Sequence, residues 1–374
     1  MSVRIAGSGW VTPLGSGISE VWDRLLRGEQ AQVDTICDPL SPRSYPAYRV
    51  PGTALSGLPP HPRLRRCSAI SRFAVAAGLA ALNDARSTIS IHDSAEIALV
   101  FAVANGGVIY TRRFYHDIVA SGADAASPLL FPETVFNAAA SHLAAIMEIK
   151  GASYTVVGDG AIGLFALRMA EDLLADDAID YCLVVAAEEA DWLLCDAYQK
   201  WRILRSAPPI EVFRLPARGT ILSEGAGAVV LAREGPVEIQ AIELAPHYQQ
   251  RKSAKGKLKD VLRTIVRPDV SAAVASANGT FIDQAELESL TETLPQAVVY
   301  TPKPALGESV GASSLWQVIV AAQALRTKRF PLPQLNCPSS LTSRESFLSI
   351  SDCRQIVVTS CGLSQQLAAL RLAV

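Results

Sequence analysis

Residues Tyr154–Leu174 read YTVVGDGAIGLFALRMAEDLL, and the fold turns on how this stretch is parsed. It opens as an apolar, β-branched run (Tyr154, Thr155, Val156, Val157), passes through Gly158-Asp159-Gly160, and continues as a long apolar helix. Bracketing glycines allow a sharp strand-to-helix turn that a Cβ would resist. A residue held at such a turn faces a helix N-terminus, where the macrodipole lowers a thiol's pKa and free N–H groups stabilise an oxyanion. Folds with a nucleophile elbow place Ser or Cys there. This chain has Gly160.

Working outward, the same strand-loop-helix alternation recurs. An apolar helix is predicted around Ser19–Leu26 and another, apolar nearly all round and therefore buried, over Ile70–Ala85. Ile97–Ala104 and Leu183–Ala187 are unbroken apolar runs of the kind found in buried parallel or mixed sheets. The alternation continues through residue 231 and resumes from about 236 to the end, which predicts two α/β halves of similar build, 1–235 and 236–374. Residues 38–66, rich in proline and carrying Arg63, Arg65 and Arg66, read as a surface excursion. The arginines form either a solvated face or a receiver for an acidic partner. Lys252–Lys259, KSAKGKLK, reads as a solvated connection, with a binding patch for an acidic partner as the alternative.

A chain of 374 residues with 49% apolar and 19% charged residues buries a substantial core and is not disordered. A formal net charge of -2 gives no electrostatic reason for a nucleic-acid partner. Seven scattered cysteines without CxxC spacing read as reduced, buried thiols of a cytosolic protein. No basic-then-apolar leader opens the sequence, and no uncharged apolar run reaches the ~20 residues that cross a bilayer. The expected location is the cytoplasm, without membrane insertion. Glu188, Glu189 and Asp191 raise the question of a metal. With no histidine nearby they read instead as solvated acids at a strand end, and no metal site is predicted.

The elbow resembles that of the β-ketoacyl synthases, members of the thiolase fold, in which a cysteine is followed three residues later by glycine. Setting Gly163 on that glycine places Gly160 on the cysteine. Val3–Gly17, VRIAGSGWVTPLGSG, resembles the family's first strand and loop. Phe131–Leu143, FPETVFNAAASHL, matches the segment before the elbow, and Leu222–Leu231, LSEGAGAVVL, matches the glycine-rich strand closing the N-terminal half. The resemblance implies a five-layered αβαβα fold built from two similar halves. It also locates the missing chemistry. Decarboxylating condensation needs a thiolate and two imidazoles that stabilise the enolate. In Ser276–Glu286, SANGTFIDQAE, Gly279-Thr280 puts Asn278 on the first histidine, with Asp283 and Glu286 on the following acidic positions. Lys303–Ala312, KPALGESVGA, keeps Lys303, Leu306, Gly307 and Gly311 but has Glu308 at the second histidine. In Ser360–Gln366, SCGLSQQ, Leu363 stands at the gating phenylalanine.

Nucleophile and both histidines are thus replaced, by Gly160, Asn278 and Glu308, and no catalytic residue is assigned. Relatives with glutamine for cysteine decarboxylate without condensing, but they keep the histidines. Such a chain resembles the chain-length factor, the non-catalytic partner of an active ketosynthase subunit in type II polyketide or fatty-acid-type synthases. The resemblance implies a heterodimer whose interface houses an acyl tunnel. The substrates would ride on the phosphopantetheine of an acyl carrier protein, and no cofactor of the chain's own is implied. After Gly106-Gly107, the residues at tunnel positions are Val108, Thr111 and Tyr115, spaced i, i+3, i+7 on one helix face. That stripe is either tunnel wall or ordinary core. The rival functions are a stand-alone thiolase-fold acyltransferase or hydrolase acting through Cys361 or Asp159, and an acyl-binding homodimer. The bland alternatives are a structural thiol at Cys361, a helix-capping acid at Asp159, and a satisfied core or interface histidine at His142.

Overall fold

Strand β1 (Val3–Thr12) runs through the middle of the large sheet, and in the computed structural model, which describes residues 2–92, 95–338 and 345–374, nearly all of it is buried. The first half continues with α1 (Ile18–Leu26), α2 (Ala69–Thr88), β2 (Ile97–Val103), α3 (Val108–Ser121) and α4 (Ala138–Ile146). It closes with β3 (Ser153–Val157), α5 (Ile162–Leu173), β4 (Tyr181–Glu188), α6 (Trp192–Lys200) and β5 (Gly225–Ala232). Its strand order is β3-β2-β4-β5-β1, with β3, β2 and β4 parallel and β5 antiparallel to both neighbours.

The second half repeats that plan. It comprises β6 (Val237–Leu244), α7 (Arg251–Ile265), β7 (Ala272–Val274), α8 (Asp283–Thr293) and β8 (Val298–Tyr300), then α9 (Lys303–Leu306), α10 (Ser313–Thr327), β9 (Gln355–Cys361) and β10 (Leu367–Ala373). The order is β8-β7-β9-β10-β6, with the same pairing senses at each step. β1 and β6 pair through Val3–Ile5 and Val237–Ile239 and join the halves.

The period-2 alternation of strand side chains sorts the core into layers. Val100, Ala102 and Val184 turn inward onto α5 and α10, together with Val274, Val358 and Leu370 of the second half. Leu99, Phe101 and Val185 turn outward onto α2 and α4. Ala273 and Val357 turn outward onto α7 and α8. The result is five layers, αβαβα, with α5 and α10 at the centre. Their close approach explains Gly163, whose N–H donates to Ser314 Oγ at 3.0 Å. A Cβ there would fall 2.4 Å from that oxygen.

Three sequence expectations need correction. Cys37 and Cys337 are exposed, whereas the other five cysteines are buried as expected. Lys252–Lys259 lies within α7 and is no connection: Ala254 and Leu258 face the core, and Lys255 bridges Glu288 and Glu292 at 2.8 Å each. The excursion at 38–66 is partly built into the body, since Ser44–Tyr48 pairs with Val33–Cys37 and Leu222–Ser223 and buries Tyr45 and Tyr48. Among the described residues no helix is long and apolar enough to cross a membrane.

Candidate functional site

The elbow forms where β3 ends and α5 begins, with Asp159 and Gly160 between them. Gly160 is not there to relieve the backbone. Its φ lies outside the left-handed region, and a Cβ would approach nothing closer than Gly362 Cα at 3.4 Å, an ordinary contact. The expectation that the turn would resist a Cβ therefore fails at Gly160. Gly158 does resist a Cβ, which would fall 2.5 Å from Gln366 Oε1. The C-terminal loop is laced onto the elbow: Ser360 Oγ donates to Gly160 O at 2.8 Å, Ser364 N–H to Asp159 Oδ2 at 2.7 Å, and Asp159 N–H to Gln366 Oε1 at 2.8 Å. Asp159 thus ties the elbow to that loop, a larger role than capping a helix.

Asn278, Lys303 and Glu308 are brought together in a fully buried network. Lys303 Nζ and Asn278 Nδ2 both donate to Glu308 Oε2 at 2.6 Å, and Ser313 Oγ and Val310 N–H donate to Oε1 at 2.8 and 2.9 Å. Asn278 Oδ1 accepts from Thr280 Oγ1 and N–H. Glu308 thus accepts from four donors. Asp283 accepts the N–H groups of Asn278, Gly279 and Phe213, and burial outweighs those bonds to push its carboxyl up to about 6. Burial likewise raises Glu286, although Ser276 and Thr359 donate to it.

A cavity of about 400 Å³ opens in front of the elbow, lined among others by Asp159, Gly160, Tyr198, Glu308, Cys361 and Leu363. Tyr198, Trp201, Leu363 and Ser364 also border an adjoining cavity of about 400 Å³, where the Arg251 guanidinium lies 3.8 Å over the Phe281 ring. Cys361 is buried, and burial pushes its thiol well above the usual range, away from the thiolate a nucleophile requires.

Val108, Thr111 and Tyr115 lie outside this cavity, and α3 buries none of its residues. The stripe is not core: Val108 and Thr111 are half-buried and Tyr115 is 60% exposed. Around it stand Val119, Phe131, Val135 and Phe136, all exposed. Nor are the acids at the end of β4 solvated. Glu188 is fully buried, clamps the N–H groups of Ala104, Asn105 and Gly106, and is pushed up to about 8 by desolvation. Glu189 is pushed up to about 7 by burial and by Glu224, and Asp191 caps α6 by accepting the Leu194 N–H. His142 Nε2 pairs with Glu133 Oε1 at 2.6 Å, but its buried Nδ1 has no hydrogen-bond partner among the described residues, so it is only half satisfied. Sequence reasoning missed Asn105 and Tyr198 as cavity residues. Tyr198 stands between Ala197 and Gln199 on α6 and gives no local signal, whereas Asn105 opens the Asn-Gly-Gly turn ahead of α3, a signal that could have found it.

The family profile described as "Beta-ketoacyl synthase, N-terminal domain" matches residues 1–235. The chain is 21% identical over 365 residues to 3-oxoacyl-[acyl-carrier-protein] synthase 2 of Vibrio cholerae, covering 89% of this chain and 88% of that protein. Among solved structures, the ishigamide ketosynthase/chain length factor superposes with a TM-score of 0.84 at 18% identity, covering 100% of this chain and 99% of that one. A ketosynthase in complex with its chain length factor from Xenorhabdus doucetiae superposes with a TM-score of 0.82 at 15% identity, covering 100% and 98%. At these identities the likeness to the solved structures is one of fold.

Proposed function

Since this chain belongs to the β-ketoacyl synthase family, we propose that it acts as the chain-length-factor-like, non-catalytic subunit of a heterodimeric ketosynthase. An active ketosynthase partner supplies the cysteine and histidines, and acyl and malonyl groups arrive on the phosphopantetheine of an acyl carrier protein. The observation that carries this reading is that Gly160 has no side chain while Asn278 and Glu308 are tied together in one buried network. Gly160 offers no nucleophile, Asn278 is spent on Glu308 and Thr280, and Glu308 would set a carboxylate where a developing enolate needs a donor. The exposed apolar surface of α3, with Phe131 and Phe136 beside it, supports a partner seated there, so that Val108, Thr111 and Tyr115 would face a shared tunnel.

The test is a condensation assay with purified protein and acyl and malonyl carrier proteins. No product is expected from the chain alone. None is expected from Gly160→Cys either, because the thiol would fit the elbow but Asn278 and Glu308 would still fail to stabilise the enolate. Product from the wild-type chain alone, abolished by Cys361→Ala, would instead establish the stand-alone enzyme.

A further inference from the structure

Helix α3 buries none of its residues, and its N-cap, Gly107, has no side chain to bond the helix end. Neither a core face nor a cap therefore fixes where the helix lies. Its place is set at the turn before it. Glu188 is the last residue of β4, a strand flanked on both sides in the sheet, and its buried carboxyl accepts three successive N–H groups of that turn. Ala104 and Asn105 donate to Oε2 at 2.9 and 3.1 Å, and Gly106 donates to Oε1 at 3.2 Å. Glycines make room for this grip. At Gly311 a Cβ would fall 2.9 Å from Glu188 Oε2 and 3.1 Å from the Ala104 nitrogen. The segment that carries Phe131 and Phe136 presses on the same turn. A Cβ on Gly107 would fall 2.5 Å from the Glu133 carbonyl oxygen, and one on Gly106, whose φ is +64°, would fall 2.9 Å from the Phe136 ring.

Val108 opens the helix two residues after the last gripped N–H, so a displaced turn displaces Val108, Thr111 and Tyr115 together. We propose that Glu188 is the positioning residue of α3: by holding the turn at 104–106 it sets where those three side chains stand, and with them the length of acyl chain accommodated. Glu188 acts only through the helix and touches no substrate. The inference rests on the reading that α3 faces a tunnel shared with a ketosynthase partner.

Glu188→Gln keeps the shape of the side chain and one acceptor oxygen, whereas Glu188→Leu keeps no acceptor. The experiment reads both variants in two ways: hydrogen–deuterium exchange of the full chain, and the mass profile of carrier-bound products from the reconstituted pair, with Tyr115→Ala alongside. Exchange over residues 104–111 is expected to quicken about tenfold in Glu188→Gln, the worth of one hydrogen bond to a charged group. It should quicken further in Glu188→Leu, with α2 and α10 unchanged. The length distribution should broaden in the same order at comparable total yield. Exchange that quickens alike in α2, α10 and the turn would make Glu188 a general stabiliser and overturn the proposal. A distribution as narrow as the wild type's, although Tyr115→Ala shifts it, would overturn the proposal and leave the shared tunnel standing. A distribution fixed in Tyr115→Ala as well would overturn the tunnel reading and this inference with it. Should Glu188→Leu not fold, the comparison of Glu188→Gln with wild type decides alone.

Discussion

At the outer edge of the first half-sheet, β3 shows Tyr154 and Val157 to solvent at 43% and 49% exposure. The topologically equivalent strand of the second half, β8, is fully buried. Its Val299 pairs with the backbone of Gln334 and Leu335, which seals the edge. Two halves with one strand order thus end differently, and the difference lies in whether a later segment of the chain returns to the edge. The second half spends a segment of its own to cover β8. The first half leaves β3 open and apolar, and open apolar edges invite pairing with another chain. The degenerate site differs between the halves as well: Asn278, Lys303 and Glu308 of the second half bond to one another, whereas Gly160 of the first half presents no side chain to the cavity that Glu308 also lines.

Breaking the open side should abolish association and spare the fold. Tyr154→Lys with Val157→Lys removes two apolar side chains, each worth ~1.5–3 kcal/mol when buried, so partner affinity should fall by roughly 10²–10⁴-fold. The check is size-exclusion analysis after co-expression with ketosynthases, alongside a thermal melt that should barely move. An unaffected complex would show that the β3 edge is not the docking surface.

Breaking the closed side should do the reverse. Lys303→Met leaves the Glu308 carboxylate buried beside an apolar chain, a loss of about 3–5 kcal/mol of stability by denaturant unfolding. Adding Glu308→Gln removes the stranded charge and should recover part of that loss. No recovery would mean the network is held by shape and not by charge.

A smaller effect separates the halves by pH. Glu188 is raised from the ordinary 4.5 to about 8 and Asp283 from 3.8 to about 6, so the folded state holds these protons more tightly than the unfolded one. Their contribution to stability is fully present below the unfolded values and is lost as pH rises, by about pH 6 for Asp283 and pH 8 for Glu188. Melting temperature should accordingly decline across this window, and Glu188→Gln should flatten the decline above pH 6. A wild-type melting temperature that rises between pH 6 and 8 would contradict the assignment.

Much of this was legible in the chain itself. The apolar runs at 97–104 and 183–187 became β2 and β4 within a residue or two, because buried parallel strands carry unbroken apolar sequence. Gly163 was legible as a fixed point of the elbow, although its reason, the approach of α10, is tertiary. What stayed hidden depends on partners far along the chain. Glu188 looks like a solvated acid until three N–H groups more than 80 residues away are seen to converge on it. Spacing put Val108, Thr111 and Tyr115 on one face, but whether that face meets core, cavity or solvent is fixed only by packing.

The central claim is that this chain contributes shape, and not chemistry, to a paired ketosynthase. The direct measurement is a mass profile of carrier-bound products from the reconstituted pair, comparing wild type with Tyr115→Ala and Val108→Phe. An apolar cavity gains ~0.8 kcal/mol per methylene accommodated, enough to shift a length distribution severalfold. Longer products from Tyr115→Ala and shorter ones from Val108→Phe, at comparable total yield, are the predicted result. A change in yield with the length distribution fixed would contradict it.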